Sequence, residues 1–247
     1  MSGDPERVVV TGATGRMGRE LLAACEERGH DTLAVSESDP EAVSGDELAA
    51  HLGPGDVLVD FTVPEASLGY LDDAVAAGVP AVVGTTGYDE AGEAAIEAAA
   101  GEIPLLRASN FARGIQALLG AVREAVAALP GYDVELTETH HNGKRDAPSG
   151  TALSILDGID ESRGEALDRK HGREGLDPRE DGEVGVHVRR AGDIKGEHEV
   201  LLAGNEEVLT LTHRAESRGV FAAGALDAAE WLAGREAGLY AFADLIR

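Results

Sequence analysis

A chain of 247 residues, 43% of them hydrophobic and 32 of them glycine, can bury one large core or two modest ones and is too apolar to be disordered. Its 46 acidic residues against 21 basic ones give a formal net charge of −25, which would repel nucleic acid and anionic membranes, so neither is expected as a partner. No apolar run reaches the ~20 residues needed to span a bilayer, and the acidic opening M-S-G-D-P-E-R does not read as a signal peptide, so a cytoplasmic location is expected.

The acids are spread along the chain rather than gathered in a tail, and the only lysines are Lys144, Lys170 and Lys195. This is the composition of a solvated acidic surface that keeps a protein soluble at high salt, so a halophilic source is expected. The single Cys25 falls in a helical pattern and reads as a small core residue.

In chain order, Arg7–Thr11 is an apolar strand and Met17–Arg28 has helical spacing, with Leu21, Leu22 and Cys25 on one side. Thr32–Ser36, Val57–Asp60, Ala81–Val83 and Pro104–Arg107 read as further strands, with helices at Pro64–Ala77 and Asp89–Ala100. Strands separated by helices imply parallel pairing through right-handed crossovers, hence an α/β fold with a Rossmann-type doubly wound sheet. Gly114–Leu129 is a long helix. After it come β-rich runs at Asp133–Thr139, Val184–Arg190, Glu197–Leu202 and Val208–His213, with no helix between the last three. They predict a smaller second sheet, mixed or mainly antiparallel, in an α+β arrangement with one clear helix from about Thr151. The charged, Gly-rich stretch from Arg163 to Gly182 reads as a mobile loop, and Val220–Gly234 as a helix returning to the first domain. The expected domains are residues 1–112 with 219–247, and residues 113–218.

The first candidate site follows the first strand. In V-V-V-T-G-A-T-G-R-M-G, Gly12, Gly15 and Gly18 are spaced as a variant of the dinucleotide fingerprint. A tight turn, close backbone approach to a pyrophosphate and helix-terminal N–H groups aimed at it explain the glycines. Gly12, Ala13, Thr14, Gly15, Arg16 and Met17 are therefore candidate cofactor contacts, with Glu37 ending the second strand where ribose hydroxyls would lie. Ser38 stands where an arginine would grip a 2′-phosphate, although Arg16 could reach one. NADH is thus expected to be used well, with NADPH not excluded. D-F-T-V-P-E (Asp60–Glu65), G-T-T-G-Y (Gly84–Tyr88) and A-S-N-F (Ala108–Phe111) all follow apolar runs. Each alone is an ordinary loop. Three at the strand ends of one sheet indicate a cofactor crevice, adding Gly84, Thr85, Thr86, Ala108, Ser109, Asn110 and Phe111.

The second candidate site is H-H-N-G-K-R-D-A-P-S-G-T-A, His140 to Ala152. It sets two imidazoles and the Lys144 ammonium beside a helix start at Pro148-Ser149-Gly150-Thr151. Ser149 is a natural N-cap, and the N–H groups after it suit a carboxylate. A histidine can donate a proton near neutral pH. His140 and His141 should point to opposite sides of an extended chain, and with one cysteine and no H-x-x-x-H pair no metal site is indicated. Arg189, Arg190 and Lys195 read equally as a basic patch for an anionic ligand or as ion-pair partners of the many acids, and His187, His198 and His213 as strand residues.

These motifs resemble the dihydrodipicolinate reductase family. G-A-T-G-R-M-G, D-F-T-V-P-E, G-T-T-G-Y, N-F, E-T-H-H-N-G-K-R-D-A-P-S-G-T-A and R-A-G-D-I-K-G-E-H run in family order from Gly12 to His198. The resemblance implies NAD(P)H-dependent reduction of 4-hydroxy-tetrahydrodipicolinate, via dihydrodipicolinate, to tetrahydrodipicolinate on the diaminopimelate route to lysine. It implies that His140 is the general acid/base and Lys144 a second proton donor. It implies that His141 binds a small dicarboxylate substrate and that Gly150 and Thr151 hold one of its carboxylates; Ser149, as their N-cap, joins that candidate substrate site. It further implies that the second domain binds substrate and builds a homotetramer. The chain departs from the family in a short segment between Glu37 and Asp56, in Asn142-Gly143 ahead of Lys144, and in Ser38. Another two-domain Rossmann enzyme, such as an amino-acid dehydrogenase, would need a different motif from P-S-G-T-A. A redox-sensing module would more often carry a nucleic-acid-binding element.

Overall fold

The computed structural model describes residues 5–246; residues 1–4, which open the expected first domain and the segment weighed as a leader, and residue 247 lie outside the described residues. Two compact units divide the chain, Met1–Phe111 with Arg218–Arg247, and Ala112–Ser217.

In the first unit, strand β1 (Arg7–Thr11) shows how an unbroken apolar run is buried. Successive side chains alternate between sheet faces. Val8 and Val10 join one core, with Leu21 and Cys25 of α1 (Arg16–Arg28) and Ala222, Ala225 and Leu226 of α6 (Gly219–Leu232). Val9 joins the other, with Leu71 of α2 (Pro64–Ala77) and Ile96 of α3 (Glu90–Ala100). The remaining strands are β2 (Asp31–Val35), β3 (Asp56–Asp60), β4 (Ala81–Val83), β5 (Pro104–Arg107) and β11 (Gly238–Ala241). Their order is β11-β5-β4-β3-β1-β2, parallel throughout. The order reverses between β1 and β3, the point where a doubly wound sheet opens its ligand crevice. Burial in apolar surroundings pushes the Cys25 thiol up to about 11, which suits a core residue.

β11 is a sixth strand that the sequence did not announce, since G-L-Y-A is too short to carry a pattern. It pairs only with β5, at the sheet edge. A short 3-10 helix (Gly45–Ala50) and a terminal helix α7 (Phe242–Ile246) were also unforeseen.

The second unit has a five-stranded sheet of order β10-β9-β6-β8-β7. Its strands are β6 (Asp133–His140), β7 (Asp168–His171), β8 (Glu183–Arg190), β9 (Glu197–Gly204) and β10 (Glu207–Arg214), with helices α4 (Arg113–Ala128) and α5 (Gly150–Arg163). The sheet is mixed: β9 is antiparallel to both β6 and β10, whereas β6–β8 and β8–β7 are parallel. Of the two expected arrangements, mixed or mainly antiparallel, the sheet is the mixed one, because α5 lies between β6 and the β7–β8 pair and supplies the long crossover that parallel pairing needs. The stretch read as a mobile loop contains β7. Its sequence D-R-K-H has no apolar alternation, as an edge strand can afford. It is tied down instead by Arg169 on Asp160 (2.5 Å) and Lys170 on Asp177 (2.7 Å).

Candidate active site

The first unit gathers its candidate residues at the carboxyl ends of its strands. Gly12 has φ +63°, and the turn closes through Gly15 N–H donating to Gly12 O at 2.8 Å. A Cβ on Gly18 would lie 2.2 Å from Gly12 O, and one on Gly84 would lie 2.1 Å from the Phe61 ring. Such backbone-lined turns let a pyrophosphate approach main-chain N–H groups, so they fit a dinucleotide. Arg16 and Met17 begin α1. Glu37 accepts from Gly45 N–H (2.6 Å) and Ser44 Oγ (3.1 Å), which leaves acceptor capacity on an exposed carboxylate. The Thr14 hydroxyl shares hydrogen bonds with those of Ser36 (2.9 Å) and Ser38 (2.8 Å), joining the glycine turn to the end of β2. Thr86, Ala108 and Ser109 line a cavity of about 470 Å³ with Tyr240 and Asp244. Asn110 follows on the same loop. Phe111 differs from the rest: its ring is buried against Phe61 and Phe242, with centroids 5.3 Å away in each case.

Asp60 organises this end of the sheet. It is fully buried and accepts from Thr11 Oγ1 (2.7 Å), Thr62 Oγ1 (2.6 Å) and Thr85 Oγ1 (2.6 Å). One carboxylate thereby ties the end of β1 to the segments that follow β3 and β4. Sequence reasoning flagged D-F-T-V-P-E as a crevice segment and missed this role.

In the second unit, alternation along β6 sends Val134, Leu136, Glu138 and His140 to one buried face. The neighbouring strands bring Val200 and Leu202 to the apolar part of that face. His198 of β9 stands opposite Glu138, and Arg190 of β8 opposite His140. A hydrophobic face therefore ends in a polar cluster at the carboxyl end of β6. Glu138 accepts from His140 Nδ1 (2.6 Å), from Arg190 Nη1 and Nη2 (2.8 Å each) and from Ser149 N–H (3.0 Å). Burial alone would push its carboxyl up, but the hydrogen bonds from His140 and Arg190 outweigh burial and bring it down to about 2. It is ionised at neutral pH.

Ser149 is the N-cap of α5, its hydroxyl accepting from Ala152 N–H at 3.2 Å and bonded to His198 Nε2 at 3.1 Å. Gly150 and Thr151 open the helix. Burial, helped by the nearby His140, pushes His198 down to about 3, so it is neutral. Lys144 pairs with Asp146 at 2.8 Å. Asn142-Gly143 forms a pinned turn rather than a loose one: Asn142 N–H donates to Gly192 O and Lys144 N–H to His141 O, both at 3.1 Å. Arg190 is an ion-pair partner, and so is Lys195, which bonds Asp193. His187 and His213 lie on β8 and β10.

A dinucleotide-type crevice in one unit and a buried His–Glu–Arg cluster beside a helix N-terminus in the other are both explained by one family. Residues 6–111 match the family description "Dihydrodipicolinate reductase, N-terminus" and residues 114–246 match "Dihydrodipicolinate reductase, C-terminus". The chain belongs to the dihydrodipicolinate reductase family. It is an NAD(P)H-dependent oxidoreductase, and the N-terminal unit is its dinucleotide-binding part. The 4-hydroxy-tetrahydrodipicolinate reductase of Natronomonas pharaonis is 61% identical over 244 residues, covering 97% of this chain and 99% of the relative. That of Haloarcula marismortui is 54% identical over 248 residues, covering 97% and 98%. The fold matches that of dipicolinate-bound dihydrodipicolinate reductase from Paenisporosarcina sp. TG-14, with TM-score 0.73 at 22% identity over 96% of this chain and 98% of that one.

In this reductase sequence reasoning missed Glu138; it left Arg190 open between a ligand site and an ion-pair partner, and it read His198 only as a strand residue. The period-2 argument that separates His140 from His141 also puts Glu138 on the His140 side, so Glu138 was within reach. Arg190 and His198 depend on strand register, which no local pattern supplies. Among the described residues, no group of three or more His, Cys, Asp or Glu side chains is placed to hold a metal ion, and no helix is long and apolar enough to cross a membrane.

Proposed function

We propose that the enzyme reduces 4-hydroxy-tetrahydrodipicolinate, through dihydrodipicolinate, to tetrahydrodipicolinate on the diaminopimelate route to lysine. The first unit, taken as residues 1–112 with 219–247, holds NADH or NADPH. The second, residues 113–218, binds substrate. The observation that carries this reading is the cluster of His140, Lys144 and the Ser149-capped start of α5 in one unit.

Reduced nicotinamide, when bound, supplies the hydride. The conjugated imine that has accepted it is an enamine-like anion and must take up a proton. His140 donates that proton, with Lys144 assisting. His141, Ser149, Gly150 and Thr151 hold a substrate carboxylate at the N-terminal end of α5, where the helix dipole and unpaired donors favour negative charge. In exchanging Asp146 for substrate, the Lys144 ammonium adds a point charge. Gly12, Ala13, Thr14, Gly15, Arg16 and Met17 cradle the pyrophosphate, Glu37 takes the adenosine ribose, and Gly84–Thr86 with Ala108–Phe111 flank the nicotinamide, Phe111 through its backbone alone.

Val208 and Leu209 are exposed on β10, an edge strand. An exposed apolar edge calls for a cover, which supports a homotetramer built through the second unit; light-scattering mass in solution tests it. The acid-rich composition supports a cytoplasmic protein of a salt-rich cell.

The test of function is nicotinamide oxidation while a coupled synthase generates the substrate. His140→Ala should lower kcat by about 10²–10⁴ and leave nucleotide binding intact. A loss smaller than about tenfold removes His140 from the proton-transfer role.

A further inference from the structure

Glu138 is a fully buried carboxylate on a sheet face whose apolar part is formed by Val134, Leu136, Val200 and Leu202. An ionised carboxylate can only accept hydrogen bonds. Each of its oxygens accepts twice: Oε1 from Arg190 Nη2 and Ser149 N–H, Oε2 from Arg190 Nη1 and His140 Nδ1. The nitrogen that meets Oε2 must therefore carry a hydrogen. In the neutral imidazole that leaves Nε2 as the bare nitrogen, the one that gains and loses the titrating proton.

His140 is buried, and a glycine, Gly196, lies on the far side of its ring. A Cβ built on Gly196 would sit 3.1 Å from His140 Nε2, so glycine leaves this nitrogen without a side chain over it. His198 stands edge-on to the ring, with centroids 5.2 Å apart. The charged and titratable groups facing His140 are Glu138 on its own strand, Arg190 on β8, His198 on β9, and Lys144 and Asp146 on the loop that follows. His198 is neutral, so it does not oppose an imidazolium. Arg190 is a cation, offset by Glu138 through two hydrogen bonds and by the nearby charge of Asp146.

We infer that Glu138 is the positioning residue of the reaction: it fixes the His140 tautomer with Nε2 outward, stabilises the imidazolium, and through Ser149 N–H locks the start of α5 in register with the proton donor. One buried carboxylate thus links the proton-donating ring to the proposed carboxylate-binding helix end. This inference rests on the reading of His140 as general acid. A carboxylate that orients a working histidine from its far nitrogen acts in the same way in hydrolytic triads.

Glu138→Gln keeps the shape and removes the charge. The expected result is a kcat at least about tenfold lower. NADH and NADPH affinities should not change. In a His140→Ala background the same substitution should lower kcat by a clearly smaller factor, because the route through His140 is gone and the glutamine oxygen still accepts from Ser149 N–H. A normal kcat overturns the inference, and so does an undiminished effect in the His140→Ala background. Nitrogen-15 NMR of the unaltered protein, with His140 assigned by His140→Asn, tests the inference without the buried substitution. A neutral His140 protonated on Nδ1 supports it, and one protonated on Nε2 overturns it. If the unaltered enzyme fails to turn over substrate, the reductase reading falls, and the tautomer measurement still decides whether Glu138 holds His140.

Discussion

The buried Glu138 carboxylate should make part of the folding stability depend on acid. Held at about 2 in the folded protein against an ordinary value of 4.5, it contributes about 3 kcal/mol at neutral pH. The folded value is the lower one. The contribution is therefore complete above the unfolded value and disappears as pH falls from about 4.5 through about 2. At pH 3 about 1 kcal/mol of it should remain. Glu138→Gln cannot ionise and lacks the contribution at every pH. It also leaves the Arg190 guanidinium without its anion, a cost that does not change across this range because arginine stays charged. Urea unfolding of the two proteins in concentrated KCl, at pH 7 and stepwise down to pH 3, measures the gap between them. The gap should narrow by about 2 kcal/mol on acidification. A gap that is the same at both ends would mean that Glu138 is not held ionised by His140 and Arg190, and the electrostatic argument would fail.

Gly196→Ala should lower kcat by about tenfold or more with nucleotide binding unchanged, because its methyl would crowd His140 Nε2 at 3.1 Å. The glycine sits at φ +151°, so about 1–3 kcal/mol of backbone strain should appear in the same variant as a lower melting temperature. Full turnover in a stable Gly196→Ala protein would show that Nε2 is not the working nitrogen. With a net charge of −25, melting temperature and activity should both rise between low and molar KCl, as the screening length contracts from about 10 Å to about 3 Å. Flat curves would remove the high-salt reading. Running the series with NADH and NADPH in parallel tests Glu37 and Ser38: a wide kcat/KM advantage for NADPH would show that they do not set cofactor choice.

Local patterns in this sequence were enough for the elements whose chemistry is local. The glycine turn after β1 announces itself because the positive φ of Gly12 and the 2.2 Å approach at Gly18 permit no side chain there. The N-cap at Ser149 is legible because capping joins residues three apart. The alternation of β6 separates His140 from His141. What the sequence withheld is long-range. Nothing in D-R-K-H or G-L-Y-A marks β7 and β11 as strands, because edge strands are made by their partners. Asp60 lies two residues from Thr62 in sequence, but its bonds to Thr11 and Thr85 exist only because parallel pairing stacks the ends of β1, β3 and β4. Arg190 read equally well as a ligand site or an ion-pair partner until register set it beside His140 and onto Glu138. Sequence alone thus determined which residues can turn, cap and donate a proton. Tertiary structure decided which carboxylates were buried among them, because a buried charge takes its meaning from partners that only strand register brings into contact.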